Sequence, residues 1–379
     1  MNGKSSLVAG RKNGLRLFPI VATATLALIW AASVILSAPT KVAFVNKEGT
    51  RILSLNYDAC SSFSEGLAAV RRNGKWGFVD KRGIVIVPPT FAAAGEFHDG
   101  VAMVVHHGKT GYIDHKGEFM IPPKYEWGSD FSENLAAVAQ GGEFGYIDLL
   151  GRPVIEARFD AAQDFHEGLG AVMAFGPEGA KWGFIDKKGM YAVPARFAAA
   201  SHFIGGLAAV KLRQPDGGKW GFIDKSGQFV IPPGFQDAAS FSGNLAAVRV
   251  PAGSASAPSP GWGFIDRTGT LVISAKFDEA RSFSEDLAAV RSGDKWGYID
   301  TTGKWIVPTG FDTAGDFREG LALVAVRNSA GMPAYGYINR SGRYILEPRT
   351  SVVSASDFSE SLGSLTSVKS WYERVNPLY

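Results

Sequence analysis

The chain of 379 residues repeats one pattern along most of its length. The pattern reads F-S-E-G-L-A-A-V, a short loop, K-W-G-F-I-D-x-x-G, and a β-rich run of the type I-P-P-x-F. A degenerate copy of its W-G-F-I-D core, V-A-F-V-N, begins at Val42. The clear copies, 34 to 42 residues apart, begin at Trp76, Thr110, Phe144, Trp182, Trp220, Trp262, Trp296 and Tyr335. A fixed period of this length indicates a repeat architecture, so residues 41–366 are expected to form one array of nine units, the first and last degenerate.

The first part of each unit predicts a β-hairpin. In the copy that follows Phe63, the apolar run Leu67–Val70 is followed by Asn73-Gly74, a pair that tolerates the positive φ angles of a tight turn. The aromatic and β-branched run Trp76–Asp80 then predicts the second strand.

The second part of the unit predicts a turn and a third strand. Asp80 and Gly83 occupy the first and last positions of a type I turn, where an aspartate bonds forward to the backbone and a glycine takes the left-handed conformation. A strand over 84–87 follows, and Pro88-Pro89 is expected to end it. A further short extended piece is expected near Phe91. The array is therefore predicted to be all-β, built from antiparallel meanders of three to four strands.

The repeated Trp-Gly pairs are interpreted as the structural core of the units. Side chains alternate along a strand, so the tryptophans share one face and the glycines the other. The small residues are expected to let neighbouring sheets approach closely while the aromatic rings fill the space between repeats. The pairs are Trp76 with Gly77, Trp182 with Gly183, Trp220 with Gly221, Trp262 with Gly263, and Trp296 with Gly297.

Length variation between units is concentrated in the loop that precedes the W-G core. This step is 6 residues from Val70 to Trp76 but 14 from Val248 to Trp262. Insertions that map to one loop lie on one face of a repeat assembly, which is often its binding face. The loops Arg213–Gly218 and Arg249–Gly261 are therefore candidate binding segments.

Two overall shapes agree with this repeat. The array begins in the middle of a unit, at 42–46, and ends in the middle of one, at 358–366, so the two ends together would complete a ninth unit. A propeller-like ring closes in that way. The alternative is an open β-solenoid, in which the two ends would lie far apart.

The N-terminal segment predicts export. Residues 1–16 carry four cations and no acid, and the uncharged apolar run 17–36 follows within a segment that extends to residue 38. This order is typical of a secretory signal, and the run is also long enough to span a bilayer as one hydrophobic helix. We favour a signal anchor, with a cleaved signal peptide as the alternative; both place the repeats outside the cytoplasm, in the periplasm or at the cell surface. Residues 367–379 are expected to form a C-terminal tail.

The repeat resembles the WG-containing, or KWG, repeat family. The resemblance rests on K-W-G-F-I-D-x-x-G at Lys181–Gly189 and Lys219–Gly227, its near copy at Lys75–Gly83, and E-G-L-A-A-V at Glu65–Val70. It covers roughly residues 41–366. It implies a bacterial all-β repeat protein, often of the cell envelope, and it supplies no catalytic residues.

No sequence motif for catalysis or for a cofactor appears. The net charge of +3 comes from residues 1–16, so the near-neutral array lacks the basic surface that nucleic acid requires. No cofactor, no catalytic residue and no metal ligand is assigned, although His106, His107 and His115 are placed across one hairpin. Acids recur at one position of the repeat and could line a rim: Glu65, Glu133, Glu167, Glu285 and Glu319.

Three functions follow, in order of preference. The first is an exported, membrane-anchored, non-enzymatic scaffold that binds another envelope or extracellular protein through the variable loops. The second is a module for cell-wall glycan or another carbohydrate, using the off-pattern aromatics Trp127 and Trp305. The third is a hydrolase with a site assembled across repeats, for instance from paired carboxylates.

Overall fold

A computed structural model describes residues 40–213, 217–251, 261–356 and 358–368. The regular secondary structure in these ranges consists of β-strands. Within these ranges no helix is long and apolar enough to cross a membrane. The predicted basic segment 1–16, hydrophobic helix 17–38 and tail beyond residue 368 lie outside the described residues.

Nine antiparallel sheets of four strands, here called blades, follow one another along the chain. We label the four strands of every blade A to D in their order across the sheet. The strands are β3–β6 (Ala59–Ser64, Leu67–Arg72, Lys75–Asp80, Val85–Phe91) in blade 1; β7–β10 (Ala93–His98, Val101–His106, Lys109–Ile113, Phe119–Tyr125) in blade 2; β11–β14 (Trp127–Gly128, Leu135–Gln140, Glu143–Asp148, Pro153–Phe159) in blade 3; β15–β18 (Ala161–His166, Leu169–Gly176, Gly179–Asp186, Tyr191–Phe197) in blade 4; β19–β22 (Ala199–Ala200, Ala208–Lys211, Trp220–Ile223, Phe229–Phe235) in blade 5; β23–β26 (Asp237–Ala238, Ala246–Val250, Gly261–Ile265, Leu271–Phe277) in blade 6; β27–β30 (Glu279–Ala280, Leu287–Ser292, Lys295–Asp300, Trp305–Phe311) in blade 7; β31–β34 (Thr313–Ala314, Leu321–Arg327, Pro333–Asn339, Tyr344–Arg349) in blade 8; and β35 (Val352–Ala355), β36 (Gly363–Val368), β1 (Thr40–Val45) and β2 (Arg51–Leu55) in blade 9.

Blade 9 closes the ring with strands from both ends of the described chain. Strand β1 pairs antiparallel with β36 over six residues, from Thr40 opposite Val368 to Val45 opposite Gly363. The propeller is therefore confirmed over the open solenoid. Because β36 extends to Val368, the array ends two residues later than the sequence predicted.

The order of strands corrects the predicted unit. The fourth strand is strand A, which precedes the F-S-E-G turn, and it is not a separate piece near Phe91. Strand β6 runs from Val85 through both prolines to Phe91, so Pro88-Pro89 does not end it. A proline lacks an N–H but is tolerated on an edge strand, and β6 has a partner on one side only.

Strand A lies innermost and strand D outermost. Neighbouring blades meet through their A strands: the Ser64 hydroxyl of blade 1 donates to the carbonyl oxygen of Phe97 in blade 2 (2.6 Å). The D strands, in contrast, present exposed apolar side chains such as Val85 and Met120. The ring thus places every A strand around a central channel and every D strand on the circumference.

One aromatic contact is repeated at all nine boundaries between blades. A Phe or Tyr of strand C meets the recurring Phe that lies in or just after strand A of the next blade, with ring centroids 4.7–4.9 Å apart. The pairs are Phe44–Phe63, Phe78–Phe97, Tyr112–Phe131, Tyr146–Phe165, Phe184–Phe203, Phe222–Phe241, Phe264–Phe283, Tyr298–Phe317 and Tyr337–Phe358. Tilted and edge-on aromatic pairs of this kind contribute beyond the area they bury. The core is therefore a ring of equivalent clusters between blades.

The glycines of the Trp-Gly pairs have a different role from the one predicted. A Cβ atom on Gly77 would lie 2.3 Å from the carbonyl oxygen of Val87, and one on Gly183 would lie 2.7 Å from that of Val193. Both contacts are with strand D of the same blade. The glycines therefore let the bulged strand D approach strand C, and the aromatic residues supply the packing between blades.

Candidate binding surfaces

The strand directions give the propeller two distinct faces. The A–B and C–D turns of every blade lie at one end of the strands, which we call the turn face. The B–C hairpins and the links between blades lie at the other end, which we call the loop face. Nearly all of the length variation precedes strand C, so it falls on the loop face; the exception is the step from Tyr335 to Phe358, which is 23 residues where the other copies have 21.

Most hairpins of the loop face are short and held by hydrogen bonds. The Asn73 N–H of blade 1 donates to Asp58 (2.7 Å), and the Phe175 N–H of blade 4 donates to Asp160 (2.7 Å). Phe175 itself is 54% exposed. It borders an open pocket of about 360 Å³ that Pro177 and Lys181 also line.

The two candidate loops extend this face in blades 5 and 6. The Arg213 guanidinium donates to the carbonyl oxygen of Glu178, which joins the loops of blades 5 and 4. Residues 214–216 and 252–260 of the candidate loops lie outside the described residues.

The two off-pattern tryptophans do not share a site. Trp127 begins strand A of blade 3, is 43% exposed, and lies 5.6 Å from Phe144 between ring centroids. Trp305 begins strand D of blade 7, where it is partly buried against Phe277 of blade 6, with 5.9 Å between ring centroids. A Cβ atom on Gly297 would lie 2.8 Å from the Trp305 ring. Trp305 therefore packs between blades 6 and 7, and of these two tryptophans only Trp127 offers an accessible ring.

The tryptophans of the repeat core pack between blades. Trp296 is buried in the cluster that joins blades 7 and 8. The others are half-buried against the equivalent clusters: Trp76, Trp182, Trp220 and Trp262.

The recurring acids lie on the turn face, where each one joins two blades. The Glu133 carboxylate of blade 3 accepts a hydrogen bond from the Gly168 N–H of blade 4 (3.1 Å) and pairs with Lys187 of the same blade (3.0 Å). Burial by itself raises the pKa of Glu133, but the bonds from Lys187 and Gly168 outweigh it and lower the pKa. A general acid requires a raised pKa. Glu133, Glu167 and Glu319, whose pKa values are all lowered, therefore act as links between blades and lack the raised pKa of a glycosidase general acid.

The histidines are divided between the two faces. His106 and His107 lie at the hairpin of blade 2, with ring centroids 4.0 Å apart. His115 lies on the turn face, where it stacks on Phe97 and its Nε2 is 3.0 Å from the Glu65 carboxylate. The structure thus separates the three histidines that the sequence placed across one hairpin. No group of three metal-ligating side chains occurs among the described residues.

The channel contains acids that the sequence analysis missed. Each of these acids directly precedes the recurring Phe that lies in or just after strand A, as with Glu96, Asp130 and Asp316. An oxygen atom of Asp130 and one of Asp316 are buried without a hydrogen-bond partner. Burial raises the pKa of Asp130 to about 6, although His98 opposes the change, and Asp164 and Glu96 raise it further. The polar column before the Phe was visible in the repeat, but only ring closure shows that it lines a channel.

The single cysteine lies near the closing blade. Burial raises the pKa of the Cys60 thiol to about 11, although a hydrogen bond with Ser364 lowers it. A thiol in this state is a weak nucleophile.

Together these features define a closed nine-bladed β-propeller with a variable face and a face of regular ionic links. The family model described as WG containing repeat matches residues 43–76, 76–109, 111–143, 144–173, 182–214, 220–250, 262–296, 296–328 and 335–362. These matches span most of the array, so the chain belongs to the WG-containing repeat family. A comparison with curated proteins gives no match.

Two solved structures illustrate what the fold is similar to. The chain is similar to a structure described as the eukaryotic initiation factor, with a TM-score of 0.57, 11% identity, and coverage of 86% of this chain and 98% of that chain. It is also similar to the β-propeller domain of the trilobed protease from Pyrococcus furiosus, with a TM-score of 0.38, 10% identity, and coverage of 77% and 98%. At these identities the first likeness concerns the fold alone.

Proposed function

We propose that the protein is an exported, membrane-anchored, non-enzymatic scaffold that binds another envelope or extracellular protein through the loop face. The observation that carries the proposal is the confinement of length variation to the B–C loops of a ring whose other turns are nearly invariant. Rigid repeats with variable loops on one side form binding surfaces in many repeat proteins. The exposed Phe175 and the contact of Arg213 with Glu178 support an extended surface over blades 4 and 5.

The export part of the proposal rests on residues 1–38. Four cations before an apolar run favour an anchor that leaves the propeller outside the cytoplasm, in the periplasm or at the cell surface. Fractionation of the full chain with a C-terminal reporter tests this part. Release of the tagged protein into the soluble fraction by cleavage would contradict the anchor, and a protease-protected cytoplasmic reporter would contradict export.

Cross-linking in native membranes followed by mass spectrometry tests the scaffold. Residues 213–218 and 249–261 are replaced by the Asn-Gly turn of blade 1, and Leu150→Glu on the turn face is the matched surface control. We expect a reproducible partner to cross-link to the wild-type chain and to the control, and to be lost from the loop replacement. Undiminished capture by the loop replacement would refute the proposal.

Carbohydrate binding is the second candidate, because Trp127 presents an accessible ring at the start of strand A, the innermost strand of blade 3. Exposed aromatic rings stack on sugar faces through apolar contact. Retention of the full chain on purified wall material should fall in Trp127→Ala and remain in Trp305→Ala, provided the second variant folds. Equal retention of wild type and Trp127→Ala would exclude this site.

A further inference from the structure

The turn face carries a ring of bonds that is repeated at seven of the nine blade boundaries in the described chain. In each, an acid in the A–B turn of one blade accepts a hydrogen bond from a backbone N–H in the A–B turn of the next blade. The acid and N–H pairs are Glu360 with Gly66, Glu65 with Gly100, Asp99 with Asn134, Glu133 with Gly168, Glu167 with Gly206, Glu285 with Gly320, and Glu319 with Ser361. A carboxylate bound to this backbone N–H is therefore a regular feature of the blade boundaries.

The boundary between blades 6 and 7 has lost both partners of this link. Gly243 of blade 6 occupies the position at which most other blades carry the acid. Thr301 of blade 7 occupies the position at which other blades carry a cation, such as Lys187 in blade 4 and Lys225 in blade 5. The N–H of Asp286, which is equivalent to that of Gly168, has no acceptor in the described part of the chain. At the other boundary without an acid, between blades 5 and 6, the Arg267 guanidinium bonds the carbonyl oxygen of Gly205 instead.

The lost link leaves an open groove of about 530 Å³. Its floor and walls include Leu245 and Val272 of blade 6 and Phe283 and Thr301 of blade 7. Val272 is 46% exposed. The groove thus combines one unpaired N–H with an apolar wall, on the face opposite the variable loops.

Two acids of blade 7, Glu285 and Asp286, also line the groove, but each of their carboxylates has a partner that lies outside the lining. Glu285 accepts a bond from the Gly320 N–H of blade 8 (2.8 Å), so its carboxylate is directed to the next boundary. The Asp286 side chain is 85% exposed and lies 3.8 Å from Arg340. At the boundary between blades 2 and 3, the Asp99 carboxylate accepts from the Asn134 N–H although Leu149 stands at the cation position. A carboxylate can therefore occupy this position without a cation.

The outer strand beside the groove is open to a further strand. β26 is the edge of its sheet. Ser274 and Ala275 stand where blade 5 has Pro232-Pro233, so β26 retains two backbone N–H groups that the equivalent strand of blade 5 lacks. An edge strand without proline is a template for strand addition, and natural proteins usually block such edges.

We propose that the groove between blades 6 and 7 binds an extended peptide of a partner protein, with a glutamate or aspartate carboxylate on the N–H of Asp286. The peptide supplies in trans the acid that Gly243 lacks. An aliphatic residue of the peptide packs on Val272 and Leu245, and its backbone runs along the open edge of β26. This site is independent of the scaffold function assigned to the loop face.

Fluorescence anisotropy with the full-length chain tests the proposal. The probes are labelled hexapeptides with a central Glu and randomised aliphatic or threonine flanks, each compared with its Gln counterpart. Gly243→Glu with Thr301→Lys rebuilds the regular link; Glu residues adopt this backbone conformation elsewhere (φ 51° at Glu65), and a Cβ on Gly243 meets nothing within 4 Å. Leu150→Glu adds one glutamate elsewhere on the same face and so controls for the glutamate of the double variant, and thermal unfolding verifies that each variant folds.

The expected result is selective binding of Glu peptides. Since a hydrogen bond to a charged group contributes about 1.5–3 kcal/mol, the Gln counterpart and the double variant should each bind about tenfold or more weakly. Ser274→Pro should weaken binding as well, whereas the control and the loop-face replacements should bind like wild type. Equal affinity for Glu and Gln peptides, unchanged affinity of the double variant, or full competition by glutarate alone would overturn the proposal.

Discussion

The carboxylate of Asp130 allows a direct test of how the channel affects stability. Burial raises its pKa from 3.8 to about 6, against the opposing influence of His98. One pKa unit corresponds to about 1.4 kcal/mol, so the ionised side chain lowers the free energy of unfolding by up to about 3 kcal/mol. The missing hydrogen-bond partner of one carboxylate oxygen is the structural reason for this cost.

The sign of the pH dependence follows from the direction of the pKa change. Between about pH 4 and 6 the folded protein binds a proton at Asp130 that the unfolded chain has released, so stability falls as the pH rises. The unfavourable contribution is complete above the folded pKa of about 6 and absent below 3.8. Asp130→Asn should therefore raise the free energy of unfolding by about 2–3 kcal/mol at pH 8 and by almost nothing near pH 4.

Urea unfolding of the full-length protein, followed by tryptophan fluorescence at both pH values, measures this difference. Asp294→Asn removes the same charge from an exposed hairpin and is the control. A neutral or destabilising effect of Asp130→Asn at pH 8, or a gain that does not change with pH, would refute the electrostatic account of the channel.

Three further predictions concern the links within and between blades. Gly77→Ala should destabilise the fold by several kcal/mol, because its Cβ would meet a backbone oxygen at 2.3 Å, whereas Gly74→Ala in an open turn should cost about 1 kcal/mol; chemical denaturation compares them. Phe44→Ala should cost about 3–5 kcal/mol and increase proteolysis near blade 9, because its buried ring packs on Phe63 of blade 1 in a cluster that also contains Leu362 of blade 9; equal digestion of mutant and wild type would contradict this. Glu133→Gln should cost about 0.5–1 kcal/mol at pH 7, and the loss should vanish as the pH falls through the lowered pKa of Glu133, which acid titration of the unfolding midpoint would detect.

Local chemistry explains what could be predicted for each repeat. The turn at Asp80 forms as expected, with the carboxylate accepting hydrogen bonds from the N–H groups of Arg82 and Ile84 (both 2.9 Å). It could be predicted because all of its hydrogen bonds join residues within four positions in the sequence. The Asn73-Gly74 turn likewise has positive φ at both residues. The recurring pattern also indicated the count of nine units and the completion of one unit by both ends.

The misplaced features of the unit depend on partners that are remote in sequence. The sequence predicts that Pro88-Pro89 ends a strand, but a proline is tolerated where no strand lies beyond it, and only the sheet order identifies that edge. The alternation of side chains predicts that Gly77 packs between sheets. In the structure its nearest neighbour is the carbonyl oxygen of Val87, which becomes adjacent only through the bulge of strand D.

The candidate sites divide in the same way. Sequence alone located the variable loops, because insertions are visible as changes in spacing. It also contained Gly243 and Thr301, but their shared meaning appears only when the ring brings both residues to the N–H of Asp286. Ring closure is a property of packing among all nine blades, so the channel and the groove between blades 6 and 7 were decided by tertiary structure.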